Sequence, residues 1–312
     1  MDKKRLVLVG LMLPVLLVSA CRPAADGSGA DGGREGPLVV ATTGMIGDLA
    51  SKIAGERATV VTLMATGVDP HLFRPSEGDV RRMGSADLIL YNGLHLEGKM
   101  GEILSRMARG RLVVAVGDVV PKSELRELSG FQGQHDPHLW FDVRLWSQTV
   151  GPVLEALTGL MPEHGSELQA RADGVLAGLL ELDRWVEEQI EGIPADRKIL
   201  VTAHDAFGYF GDRYRIEVVG LQGISTAAEA GLQDMDRLVD LIVERKIPAV
   251  FVESSVPRRS IESVVAACHS RGHQVLIGGE LFSDAMGPAG TEEGTYDGMV
   301  RHNVRTIAEA LR

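Results

Sequence analysis

The chain predicts an α/β protein of two similar lobes, each a four-stranded, mostly parallel sheet with flanking helices, bridged by one long helix. Short apolar runs alternate with helical patterns in both halves, as parallel βα units require. Four such runs fall on each side of a central segment. That segment carries one apolar stripe at spacings of three and four, sustained for about 28 residues.

The chain begins with Lys3, Lys4 and Arg5, followed by an apolar run from Leu6 to Val18. The run is too short to span a bilayer and has the form of a signal peptide over 1–20. Leu17-Val18-Ser19-Ala20-Cys21 resembles the bacterial lipobox, which implies cleavage before Cys21 and a lipid on its thiol and new amino terminus. Residues 21–36, rich in Gly, Ala and Asp without periodicity, read as a flexible tether.

An N-terminal α/β lobe is expected over 37–161. Its strands are Leu38–Ala41, Val60–Leu63, Leu88–Tyr91 and Leu112–Val116, with helices over Ile46–Ala54, Ser76–Met83 and Val143–Leu157. Pro162 suits a helix start. From there Leu168, Ala172, Val175, Leu179, Leu182, Val186 and Ile190 form the stripe, until Gly192 and Pro194 end it. This linking helix, 162–193, would be on the order of 40 Å long and stiffer than a pair of extended hinge strands. The C-terminal lobe, 194–312, repeats the alternation with strands over Ile199–Thr202, Glu217–Val219, Ala249–Val252 and Gln274–Ile277.

Composition narrows the function. A net charge of −11 argues against nucleic acid as a partner. The chain has two cysteines. With Cys21 assigned to the lipobox, Cys268 has no partner for an internal disulfide and reads as a small buried apolar residue.

Two stretches echo one another: Asp69-Pro70-His71-Leu72-Phe73 and Asp136-Pro137-His138-Leu139-Trp140. In each, proline fixes φ and biases the residue before it toward extended backbone. The histidine is thus presented on a stiff turn, with apolar residues after it to bury the base of the loop. A preorganised neutral imidazole suits a metal ion. Taken singly, either histidine reads better as a buried ring donating to a backbone carbonyl than as a ligand; the repetition shifts the reading to a shared metal site. Asp69 and Asp136 are expected to cap their own turns. In open parallel sheets, ligands bind beyond the carboxyl ends of the strands. His204 stands at the tip of one predicted strand and Asp284 just past the last.

His204-Asp205-Ala206-Phe207-Gly208-Tyr209-Phe210, Gly220-Leu221-Gln222-Gly223-Ile224-Ser225-Thr226, Phe251-Val252-Glu253-Ser254-Ser255 and Gly279-Glu280-Leu281-Phe282-Ser283-Asp284-Ala285-Met286-Gly287 resemble the TroA-like zinc- and manganese-binding lipoproteins of bacterial ABC importers. The resemblance runs from about Pro37 to the C-terminus. It implies two βαβ lobes bridged by a helix, with a divalent ion between them held by His71, His138, His204 and Asp284. It further implies zinc or manganese as the transported ligand, an ABC permease and its ATPase as partners, a monomer, and a membrane anchor through the N-terminal lipid at the cell envelope. The family's third ligand is histidine or glutamate; here it falls on His204. Dedicated zinc members often carry a His- and acid-rich loop before the second ligand. The stretch 120–134 holds two lysine or arginine residues, two glutamates and no histidine, which weighs against strict zinc specificity.

Asp205 and Glu253 are candidates to orient imidazoles from behind, with a salt-bridge role as the alternative. His135 is a lesser candidate ligand. His95, His164, His269, His273 and His302 read as solvated. Other functions weighed are a zinc-dependent hydrolase on an α/β scaffold and a surface adhesin. No HExxH pattern or nucleophile elbow supports the first.

Overall fold

The computed structural model describes residues 36–127 and 134–312. The expected signal peptide, most of the tether and Cys21 lie outside the described residues.

The first half contains strands β1 (Leu38–Ala41), β2 (Thr59–Thr62), β3 (Leu88–Tyr91) and β4 (Leu112–Ala115). They form one parallel sheet in the order β2-β1-β3-β4. Helices α1 (Gly44–Ala54), α2 (Glu77–Gly84) and α3 (Gly101–Met107) make the crossovers. Ser76 starts α2 with a capping box: its hydroxyl accepts from the Asp79 N–H, and the Asp79 carboxylate accepts from the Ser76 N–H. The expected helix from Val143 is two helices, α4 (Val143–Gln148) and α5 (Val150–Leu160), separated at Thr149. Asp142 caps α4 by accepting from the N–H groups of Arg144 and Leu145.

The long helix α6 covers Gly165–Glu191, preceded by a 3₁₀ turn at Pro162–His164. Of the predicted stripe, Leu168, Ala172, Leu179, Leu182, Val186 and Ile190 are buried. They enter a hydrophobic core that also contains Val39 of β1, Ile46 of α1, Leu200 of the second half and Val304 near the C-terminus. The halves therefore share a core through α6, and Glu35–Arg312 is one compact unit. Truncating a fully buried leucine such as Leu168 or Leu182 costs about 2–5 kcal/mol, and here that loss would fall on both halves at once.

The second half contains β5 (Ile199–His204), α7 (Gly208–Tyr214), β6 (Glu217–Gln222), α8 (Leu232–Arg245), β7 (Ala249–Glu253), α9 (Arg259–Ser270), β8 (Leu276–Leu281) and α10 (Tyr296–Leu311). Instead of one four-stranded ladder, the strands form two parallel pairs, β5-β6 and β7-β8, with β5 and β7 side by side. Two local irregularities accompany this division. The N–H of His204 donates to the side chain of Glu253, 2.9 Å away, where a continuous ladder would offer it a strand carbonyl. The β7-β8 register also shifts between Val250 and Phe251. There Gly278 lies so close to the Phe251 ring that a Cβ would stand 2.8 Å from it. Cys268 is buried on α9, as expected of a small apolar residue.

Candidate metal centre

Four loops converge at the carboxyl ends of the strands. His71 lies on the loop after β2, His138 on the segment leading to α4, His204 at the last position of β5, and Asp284 three residues past β8. All four are buried, and one ligand atom from each lies within 4.8 Å of the others. Among the described residues they are the one such group of His, Cys, Asp or Glu. His71 Nε2 is 3.3 Å from His138 Nε2. The Asp284 carboxylate is 3.3 Å from the Nε2 atoms of both His138 and His204, and 3.8 Å from that of His71.

Each turn is built locally. Asp69 Oδ1 accepts from the His71 N–H at 2.8 Å, and Asp136 Oδ1 from the His138 N–H at 3.0 Å. These are the expected Asx caps. Asp136 goes further: the same oxygen lies 2.7 Å from His138 Nδ1 and directs Nε2 inward. The sequence offered no sign of this second role. Glu253 does the same for His204, with Oε2 2.5 Å from Nδ1. Asp205, expected to share that task, touches no ring. Its N–H donates to Gln222 O and extends the β5-β6 pairing, which turns its carboxylate toward the cleft while Glu253 occupies the space behind His204.

Residues farther off hold these loops. Asn92 donates to Pro137 O at 3.0 Å. The neighbouring buried Glu97 accepts from the Asn92 and Gly93 N–H groups and from the Thr42 hydroxyl. Glu97 carries no signal in the sequence, where a lone acid beside Gly98 and Lys99 looks like any solvated one. Trp140 packs edge-on against His138 and donates from Nε1 to Ser283 O, tying the second turn to the segment bearing Asp284. Asn303 of α10 clamps that segment through both backbone groups of Phe282.

The electrostatics divide the imidazoles. Burial lowers the pKa of His71 to about 4 despite the nearby Asp284. Burial also acts against the charged form of His138, but Asp136 and Asp284 outweigh it and raise the pKa to about 9. His204 is likewise raised, with Glu253 and Asp284 overcoming burial. Asp284 is held well below its ordinary value, the surrounding imidazoles prevailing over burial.

His204 Nε2 and both Asp284 oxygens are buried without a hydrogen-bond partner. Orphaned polar atoms converging on one point are costly unless something satisfies them. A cation does so: donors about 2.0–2.2 Å from a tetrahedral ion stand roughly 3.3–3.6 Å apart. His135 is not in the group; it lines the cleft outside, about 490 Å³ in volume, together with His71, His95, Arg126 and Asp205. Of the histidines read as solvated, His269, His273 and His302 instead place Nε2 against backbone carbonyls of Val275, Ile247 and Glu280.

The chain matches the model of the ZnuA family, described as the periplasmic component A of a zinc-uptake complex, over residues 39–310. It is 51% identical over 288 residues to the zinc-binding protein TroA of Treponema pallidum, covering 92% of this chain and 90% of that one. It is 44% identical over 307 residues to the manganese-binding lipoprotein MntA of Bacillus subtilis, covering 97% and 99%. A solved structure of the periplasmic zinc-binding TroA of Treponema pallidum superposes with a TM-score of 0.87 at 52% identity, covering 88% of this chain and 99% of that one.

Proposed function

The chain belongs to the ZnuA family of metal-uptake components, and from that premise we propose that it captures a zinc or manganese ion and delivers it to an ABC-type importer. The ion would be held by His71, His138, His204 and Asp284. The observation that carries this reading is the convergence of four buried ligand-type atoms within 4.8 Å. Two of the three imidazoles are already turned inward by carboxylates at Nδ1.

The same carboxylates favour a carrier over a hydrolase. Asp136 and Glu253 are committed to ring nitrogens, which leaves neither to activate water as a general base. Three nitrogens and one carboxylate suit zinc, and raw affinity also favours zinc over manganese. The second oxygen of Asp284 lets the site accept manganese with a higher coordination number. The partners are a permease and its ATPase. The anchor is a lipid on Cys21, which places a monomeric receptor at the outer side of a membrane. Changing Cys21→Ala releases the protein from the membrane fraction if that anchor is correct.

The deciding experiment is a chelator-competition titration of stripped protein with each ion at one pH. Wild type binds zinc more tightly than manganese, and His204→Glu narrows the ratio by exchanging a nitrogen for hard oxygen. An unchanged ratio removes His204 from the ligand set.

A further inference from the structure

We propose that Arg126 is a latch between the two halves of the centre and sets how long the ion is retained. The inference rests on the metal-carrier reading above. Arg126 lies in the first half, beyond β4, and none of its atoms belongs to the ligand group. Its side chain crosses to α7 in the second half. One terminal nitrogen donates at 2.7 Å to Gly208 O and at 2.7 Å to the Asp212 carboxylate. Its Nε lies 3.5 Å from Asp136 Oδ2, a buried oxygen without a hydrogen-bond partner.

The backbone closes the same knot. The Arg126 N–H donates to the Tyr209 hydroxyl at 3.1 Å, and that hydroxyl donates to Asp136 O at 2.9 Å. The Asp136 N–H in turn donates to Arg126 O at 2.9 Å. Arg126 thereby joins the residue that orients His138 to the first turn of the helix that starts four residues after His204. These two imidazoles belong to opposite halves, so their separation in an opening motion strains this knot. Asp212 is 69% exposed, so its arm of the guanidinium is screened by water and contributes little. The retaining contacts are the Gly208 carbonyl and the buried Asp136. The charged donor on the Gly208 carbonyl makes a stronger hydrogen bond than a neutral pair does, and the guanidinium faces the buried Asp136 carboxylate as an ion pair at 3.5 Å.

Gly208 has a part in this. A Cβ there would come 2.6 Å from the guanidinium. Gly208→Ala thus pushes the arginine aside without removing its charge, and provides a test independent of Arg126→Ala.

The test is zinc release from the loaded full-length chain into excess chelator, followed by stopped flow. Substitutions that disturb the residues orienting a metal ligand change affinity by about 10–100-fold, and Arg126→Ala should speed release by at least the lower end of that range. Gly208→Ala should act in the same direction and less strongly, while Asp212→Ala should change the rate less than about twofold. Cobalt substitution supplies a readout that a general loss of stability would not move. The visible ligand-field spectrum shifts in Arg126→Ala, because His138 is no longer held through Asp136. It stays as in wild type in Arg57→Ala, which removes an exposed pair with Glu167. Wild-type release rates and spectra in both Arg126→Ala and Gly208→Ala overturn the latch. A wild-type chain that retains no zinc overturns the carrier reading and the latch with it.

Discussion

The two Asp-Pro-His-Leu turns are nearly the same in sequence and differ in what they do. In both, the aspartate accepts from the histidine N–H two residues on, so the local turn is the same. The difference lies in the aspartate's remaining capacity. Asp136 is fully buried and turns its ring-facing oxygen to His138 Nδ1. Asp69 gives its second oxygen to the Thr226 hydroxyl, in the other half of the chain, and leaves the His71 Nδ1 without a carboxylate. The residues after each histidine diverge too. Leu139 is 0% exposed while Leu72 is 48% exposed, so the first turn rests on Phe73, partly buried against the neighbouring core, and the second on a fully buried leucine. A short motif dictates its own backbone; its surroundings dictate its chemistry.

That contrast can be broken first at the ligands. His138→Ala should reduce zinc affinity by more than about a hundredfold, beyond the range seen for residues behind a ligand. His71→Ala should cost less, since its ring sits at the cleft edge and is not braced at Nδ1. Competition titration of both variants decides it, and equal losses would mean that the bracing of His138 carries no weight.

The next test moves one layer out. Asp136→Asn should lower affinity by about 10–100-fold. Asp69→Asn should fall well short of that, because its carboxylate touches no ring. If Asp69→Asn proves the more harmful, the turns have been assigned the wrong way round.

Proton linkage sharpens the same comparison. Without metal, His138 keeps its proton up to about pH 9, and binding must expel it. His204, raised as well, must lose its proton too, so affinity falls as pH drops through the range where these two rings take up protons. His71, lowered to about 4, adds no competition until the solution is strongly acid. Because Asp136 is the largest influence raising His138, Asp136→Asn should move the onset of the fall to lower pH. Its deficit against wild type is thus widest at alkaline pH and narrows toward pH ~6, where free histidine titrates. Calorimetric titrations in a pH series, counting protons released per ion, measure this directly; a constant deficit at every pH would exclude Asp136 as the cause of the raised pKa.

The smallest effect is expected at Thr226→Val. It removes one hydrogen bond to Asp69 and with it about 1 kcal/mol, a change of a few degrees in Tm for the metal-free chain with zinc affinity nearly unaltered. A large drop in affinity would show that the first turn depends on its partner across the cleft.

The amino-acid sequence by itself determined the order of strands and helices, the length of α6, and the four residues that the fold gathers. Those features rest on periodicity, on proline-fixed turns, and on the rule that ligands collect beyond parallel strand ends, all of which act over a few residues. Tertiary structure decided the rest. It split the second sheet into two pairs where Glu253 takes the His204 N–H. It gave the orienting role behind His204 to Glu253 and not Asp205, although Asp205 is the chain neighbour, because the β5-β6 pairing turns Asp205 away. It also buried Glu97 and placed Arg126 against Asp136 and Gly208, contacts across 82 residues in the last case. Side chains distant in sequence meet only when the packed core brings them together, and a pattern of nearest neighbours holds no record of that meeting.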